Sequence, residues 1–160
     1  MSTTTPKKTV PFVVEAEGTG VAQTVTVPGE HPHVFRADTL PAFGGQDAEP
    51  SPLSYALGAL TSCNQVTGSI VATQLGISIS GWRFRVQGDL DPTVIGAGAE
   101  GNANFQRVEV SVEVATDADD EAFAELTAET DRRCPVTQLF RRSGLEFVTT
   151  WTRTAPAAAS

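Results

Sequence analysis

The sequence predicts an α+β fold in a single domain, and three features predict it. Short alternating segments fill the stretch before residue 40, and a helical pattern of more than 20 residues starts near Ser51. After Gly76 the alternation returns, interrupted by a second helical stretch. Strand runs and helical runs segregated along the chain in this way are the signature of α+β architecture. There is no internal repeat, and 160 residues suit one domain with a sizeable core.

The elements follow in order. Residues 1–8 are polar and expected to be disordered. Thr9 to Ala16, Val21 to Val27 and Val34 to Arg36 read as strands, with Gly18-Thr19-Gly20 and Pro28-Gly29 as hairpin turns, giving an antiparallel meander. Asp38 to Pro50 is a loop rich in Gly, Pro and acids. Ser51-Pro52 starts a helix, with Ser as the cap and Pro at the first position. Leu53, Leu57 and Leu60 share one face, while Ala56, Leu60, Cys63, Thr67 and Val71 form the neighbouring ridge, and Gly76 closes the helix after Leu75. Gly58 and Gly68 each weaken an isolated helix by roughly 1 kcal/mol relative to Ala, so they suggest close approach of something else, such as a partner helix.

Ile77 to Leu90 and Phe105 to Ala115 are strands; in the second, Val108, Val110, Val112 and Val114 alternate with polar residues, so one face is buried. Gly96 to Asn104 between them is a glycine-rich loop without the following helix of a phosphate cradle. Asp117 to Arg133 is amphipathic and helical, its acids at the N-terminal end where they suit the helix dipole. Cys134-Pro135 opens a short helix that ends near Ser143-Gly144, Leu145 to Trp151 is a closing strand, and 155–160 is expected to be disordered.

The formal charge of −8 argues against nucleic acid, whose phosphates require a basic face. No stretch approaches the roughly 20 apolar residues of a membrane span, and the N-terminus lacks a signal-peptide pattern, so a cytoplasmic location is expected. Two cysteines cannot make a secreted disulfide scaffold. His31-Pro32-His33 reads as a strand start with two exposed imidazoles rather than a metal site. No cofactor is expected.

The two cysteines carry the chemistry that remains. Cys63 lies about three turns into the long helix; it is either a core residue or a nucleophile. Mid-helix, it gets no help from a helix N-terminus, and burial would raise its pKa above roughly 8.5, so a nucleophilic role requires a nearby cation. Arg36 is the only arginine before it and keeps its charge, though an exposed strand-end arginine is the plainer reading; Arg107 is a backup. Cys134, before Pro135 and after Arg132 and Arg133, is placed to cap a helix N-terminus, where unpaired N–H groups favour a thiolate. Spacing alone does not decide whether the two cysteines meet.

Asp38-Thr-Leu-Pro-Ala-Phe-Gly44-Gly45-Gln-Asp47, Pro50-Ser-Pro52-Leu53, Leu57-Gly-Ala-Leu60-Thr-Ser-Cys63 and Cys134-Pro135-Val136 together resemble the motifs of the OsmC/Ohr family, over roughly residues 34–150. The loop spacing is closer to the OsmC-like branches. The resemblance implies antiparallel β-sheets wrapped around a long central helix in an intertwined homodimer. It also implies a thiol peroxidase acting on organic hydroperoxides. Cys63 would form a sulfenic acid, Cys134 would resolve it to a disulfide, Arg36 would activate the thiol, and a dithiol such as a lipoyl group would reduce the product. The sequence departs from the family at Leu53 and Ser54, where a glutamate often orients the arginine; Glu49 or Asp47, slightly upstream, would have to substitute. Two further readings stay open: a small-ligand binding protein, and a redox sensor without efficient turnover.

Overall fold

The computed structural model describes residues 9–156, and the chain divides into two compact units at Pro52/Leu53. The expected disorder of 1–8 and of 157–160 falls outside the described residues; Ala155 and Pro156 carry no regular secondary structure.

The N-terminal unit is an antiparallel meander of β1 (Glu15–Thr19), β2 (Ala22–Val27) and β3 (His33–Ala37). Register pairs Thr19 with Ala22 across a two-residue turn, and Thr24 with Arg36. The first strand therefore begins later than expected. The pairing with β2 sets its limits, and Thr9–Val14, although rich in strand-forming residues, has no ladder partner among the described residues. Val10, Phe12, Val13 and Val14 are left exposed, while Val25 and Ala37 are buried. A 3₁₀ turn at Pro41–Phe43 breaks the loop that follows.

The C-terminal unit is built on α1 (Pro52–Leu75), whose 24 residues span ~36 Å. It ends in a Schellman motif. Gly76, at φ 69°, donates its N–H to Thr73, and Ile77 donates to Ala72. The close approach expected at Gly68 comes from a strand rather than a partner helix: a Cβ there would lie 2.6 Å from the Trp82 ring. Space around Gly58 is open in the chain.

Three strands follow in the order β4 (Ile79–Asp89), β5 (Arg107–Thr116) and β6 (Glu146–Thr154). Central β5 buries Val108, Val110, Val112 and Val114, as its alternation predicts. Each buried valine contributes roughly 1.5–3 kcal/mol. Trp82, Phe84 and Val86 on β4, and Phe147 and Trp151 on β6, complete the apolar face with Leu60, Val71 and Leu126. The expectation of wholly antiparallel sheets needs correction, because β5 and β6 pair in parallel. A crossover through two helices returns the chain to the starting end of β5, whereas a hairpin would have reversed it.

Those helices are α3 (Asp120–Arg133) and α4 (Pro135–Arg142). Asp119 caps α3, with Asp120 and Glu121 in its first turn, as expected for carboxylates at a helix N-terminus. The expected loop at 96–104 is in part helical. A short α2 spans Pro92–Ala97, capped by Asp91, whose carboxylate accepts the Thr93 N–H at 2.9 Å. Of the four helices, α2 is the one that the hydrophobic pattern does not reveal.

Candidate active site

Cys134 sits between two helices, ending α3 and capping α4. Pro135 fixes the first helical position of α4 and lacks the N–H that would otherwise be orphaned there. The Thr137 N–H then points back to the Cys134 sulfur at 3.4 Å. The side chain of Cys134 is fully buried. Arg132 and Arg133, its neighbours in sequence, direct their guanidinium groups elsewhere, Arg132 to Glu129 at 2.7 Å and Arg133 to the Gln74 amide oxygen at 2.7 Å.

Cys63 is half-buried on α1, and the structure brings it to Cys134, close enough for the two side chains to interact. The Val136 N–H, in the first turn of α4, also faces the Cys63 sulfur and favours its thiolate, as does the Thr67 side chain. This corrects the expectation that Cys63 gets no help from a helix N-terminus. The help comes from α4 rather than from its own helix, since folding places successive N–H groups of α4 against the two sulfurs. Burial nevertheless dominates and pushes the Cys63 thiol above its ordinary range, with Cys134 adding to the rise and the Val136 and Thr67 hydrogen bonds opposing it.

Two residues of this site, Asn64 and Thr137, went unrecognised in the sequence. Asn64, next to Cys63, is buried on the core side of α1. Its amide nitrogen donates to the Leu60 carbonyl at 2.8 Å and to the Thr137 hydroxyl at 3.0 Å. A polar residue interrupting an apolar helix face was the one available clue, but its partner lies 73 residues away.

Three further site candidates, Arg36, Glu49 and Asp47, belong to the N-terminal unit. Arg36, on β3, and Glu49 line one cleft of about 530 Å³, together with Gln23, Thr24 and Asp38. Asp47 does not line it; its backbone takes the left-handed conformation at φ 55°, which aspartate tolerates, and its side chain is exposed. Asp38 organises the loop between them by accepting the Gln46 and Ala48 N–H groups at 2.9 and 3.2 Å, bonds that hold its carboxyl below the usual range. Arg107, the backup arginine, is engaged by Glu146 and by Glu109 at 3.1 Å. His31 and His33 are exposed, and no cluster of three or more metal-ligating side chains occurs among the described residues. Among the same residues no helix is long and apolar enough to cross a membrane.

A family model described as OsmC-like protein matches residues 44–150. Among solved structures, the chain is similar to an OsmC-like protein from Mycoplasma pneumoniae, with 17% identity, 91% of this chain and 98% of that chain covered, and a TM-score of 0.74. It is also similar to an organic hydroperoxide resistance protein from Elizabethkingia anophelis, at 16% identity, 93% and 100% coverage and a TM-score of 0.70. A third is an organic hydroperoxide resistance protein OsmC from Legionella pneumophila, at 16% identity, 91% and 99% coverage and a TM-score of 0.67. These likenesses extend to the fold. No curated protein sequence matches.

Proposed function

The chain belongs to the OsmC-like family, and from that premise we propose that it is a thiol peroxidase that reduces organic hydroperoxides as a homodimer. One observation carries the reading: the only two cysteines of the chain, 71 positions apart, are brought into interaction at the first turn of α4. Structural neighbours described as organic hydroperoxide resistance proteins suggest the substrate class. The family match crosses the division between the two compact units, which supports treating 1–160 as one domain.

The reaction runs in three steps. The Cys63 thiolate attacks the terminal peroxide oxygen; an S–O bond forms, the O–O bond breaks, and the alkoxide leaves as the alcohol after taking a proton. Cys134, as thiolate, then attacks the Cys63 sulfur, forming the disulfide and expelling the sulfenic oxygen as water. A dithiol finally reduces the disulfide by exchange, and is itself oxidised. Because burial holds the Cys63 thiol high, the first step requires a cation. We assign that role to Arg36, with Glu49 orienting it in place of the missing family glutamate; their common cleft favours Glu49 over Asp47.

Free thiols counted before and after one equivalent of an organic hydroperoxide test the reading, with hydrogen peroxide in parallel. Both thiols should disappear within minutes. Cys63→Ser should abolish the loss, and Cys134→Ser should consume Cys63 alone. If both thiols persist for hours at neutral pH, the peroxidase assignment fails. The raised Cys63 thiol would then favour a small-ligand binding protein, and slow oxidation without turnover a redox sensor.

A further inference from the structure

Next to the two cysteines lies a buried polar contact that the peroxidase chemistry does not itself use. Asn64 is 1% exposed and Thr137 fully buried. The Asn64 amide donates to the Thr137 hydroxyl at 3.0 Å and to the Leu60 carbonyl at 2.8 Å, while the Thr137 hydroxyl lies 3.4 Å from the Asn64 amide oxygen. Burying such groups among apolar side chains is costly unless they are paired, so each holds the other in place. Their placement gives the contact a further consequence. Asn64 follows Cys63 on α1, and Thr137 is the residue of α4 whose backbone N–H reaches Cys134. The residue before it, Val136, provides the N–H that reaches Cys63. The one side-chain bond thus ties together the two short segments that carry the sulfurs and their donors.

We propose that Asn64 and Thr137 are positioning residues, a clasp that fixes the first turn of α4 on α1 so that the Val136 and Thr137 N–H groups stay aimed at the two sulfurs. Neither touches the peroxide; both act through the donors they hold. The proposal deepens the peroxidase reading and rests on it for its purpose, but the geometry it concerns is independent of turnover. Without the clasp, α4 is free to shift along α1, and a movement of 1 Å is enough to misalign N–H donors whose strength falls steeply with angle. Thiolate stabilisation then weakens, and the two sulfurs meet less often in the geometry a disulfide requires.

The test uses the full-length protein and reads Cys63 directly. Alkylation of Cys63 by iodoacetamide, followed by peptide mass mapping across pH, reports its thiolate without any peroxide. Thr137→Val removes the hydroxyl while keeping the shape and the backbone N–H; it should move the pH profile of Cys63 up by about one unit, a tenfold slower alkylation at pH 7. Thr137→Ser restores the hydroxyl and should restore the profile. The double variant Asn64→Leu with Thr137→Val replaces both groups by apolar ones, which relieves the unpaired amide and preserves folding; it should keep the shifted profile. In the parent and Thr137→Ser proteins, peroxide-driven disulfide formation should be fast, and in the other variants slower by a similar factor. An unchanged alkylation profile in both Thr137→Val and the folded double variant overturns the clasp. Absence of peroxide reaction in the parent, with the profiles shifted as expected, instead overturns the peroxidase reading and leaves the clasp standing.

Discussion

At Cys63 the opposing contributions can be ranked. Burial, which raises the thiol, comes first; the Val136 N–H opposes it next, Cys134 raises the thiol further, and the Thr67 side chain opposes least. The sign of the pH dependence follows. The nucleophile is the thiolate, so its reaction rate climbs as pH rises through the elevated value and falls about tenfold for each unit below it. If Arg36 is the activating cation, Arg36→Ala removes an opposite charge of the kind that shifts a partner by about 1–3 units, and the pH–rate profile for alkylation of Cys63 should move up accordingly. Arg36→Lys should recover part of the shift, since the charge stays while the planar fork is lost. Glu49→Gln should reproduce a fraction of the Arg36→Ala effect, and Asp47→Asn none of it. Superimposable profiles for Arg36→Ala and the parent would rule out the assignment.

Helix α1 shows how packing decides what a local pattern leaves open. Gly68 lowers the propensity of the helix, and the space a side chain would need is taken by the Trp82 ring. Gly68→Ala gains about 1 kcal/mol of helix propensity but overpacks a contact of the kind that costs about 1–3 kcal/mol. A net loss of about 1 kcal/mol is expected, measured as a lower denaturant midpoint with a changed Trp82 fluorescence. A stabilised variant would mean that the ring moves aside freely. The same element shows what the sequence could and could not convey. Ser51-Pro52 and Gly76 bracket α1 by local rules, the valines of β5 announce their face by period alone, and Cys134-Pro135 marks the start of α4 as a cap does. Those signals act within a few residues. The limits of β1 depend on pairing with β2, and the parallel run of β6 depends on a crossover through two helices, so neither is written in a period of two. Helix α2 did carry a local signal, Asp91 before Pro92, but at six residues it is too short to show a hydrophobic stripe. In the site, the two cysteines and the capping position of Cys134 were legible, whereas the Val136 N–H is a backbone group with no residue signature and the Asn64–Thr137 bond exists only once distant segments meet.

For the whole molecule, the surface that one chain leaves open bears on the proposed homodimer. Helix α1 contains no charged residue and no histidine in its 24 positions. Ala59, Ser62, Val66, Ile70 and Thr73 recur at helical spacing on a face that is exposed in the single chain, with Val66 at 60% and Ile70 at 48%. A helix face that remained in water would ordinarily carry charges, and small and aliphatic residues in their place suit close packing against a second copy. Within the N-terminal unit, Phe12 is exposed to 97% and Val10, Val13 and Val14 to more than half. Sedimentation equilibrium should therefore give twice the mass of one chain at micromolar concentration. Val66→Lys combined with Ile70→Lys buries two uncompensated charges in that contact and should yield monomers, because an isolated charge cannot be taken out of water without a partner. The reduced wild-type chain sedimenting as a monomer would exclude the dimer outright. If the double-lysine variant remained dimeric, the assembly would have to use another face, and the uncharged stripe of α1 would need a different occupant.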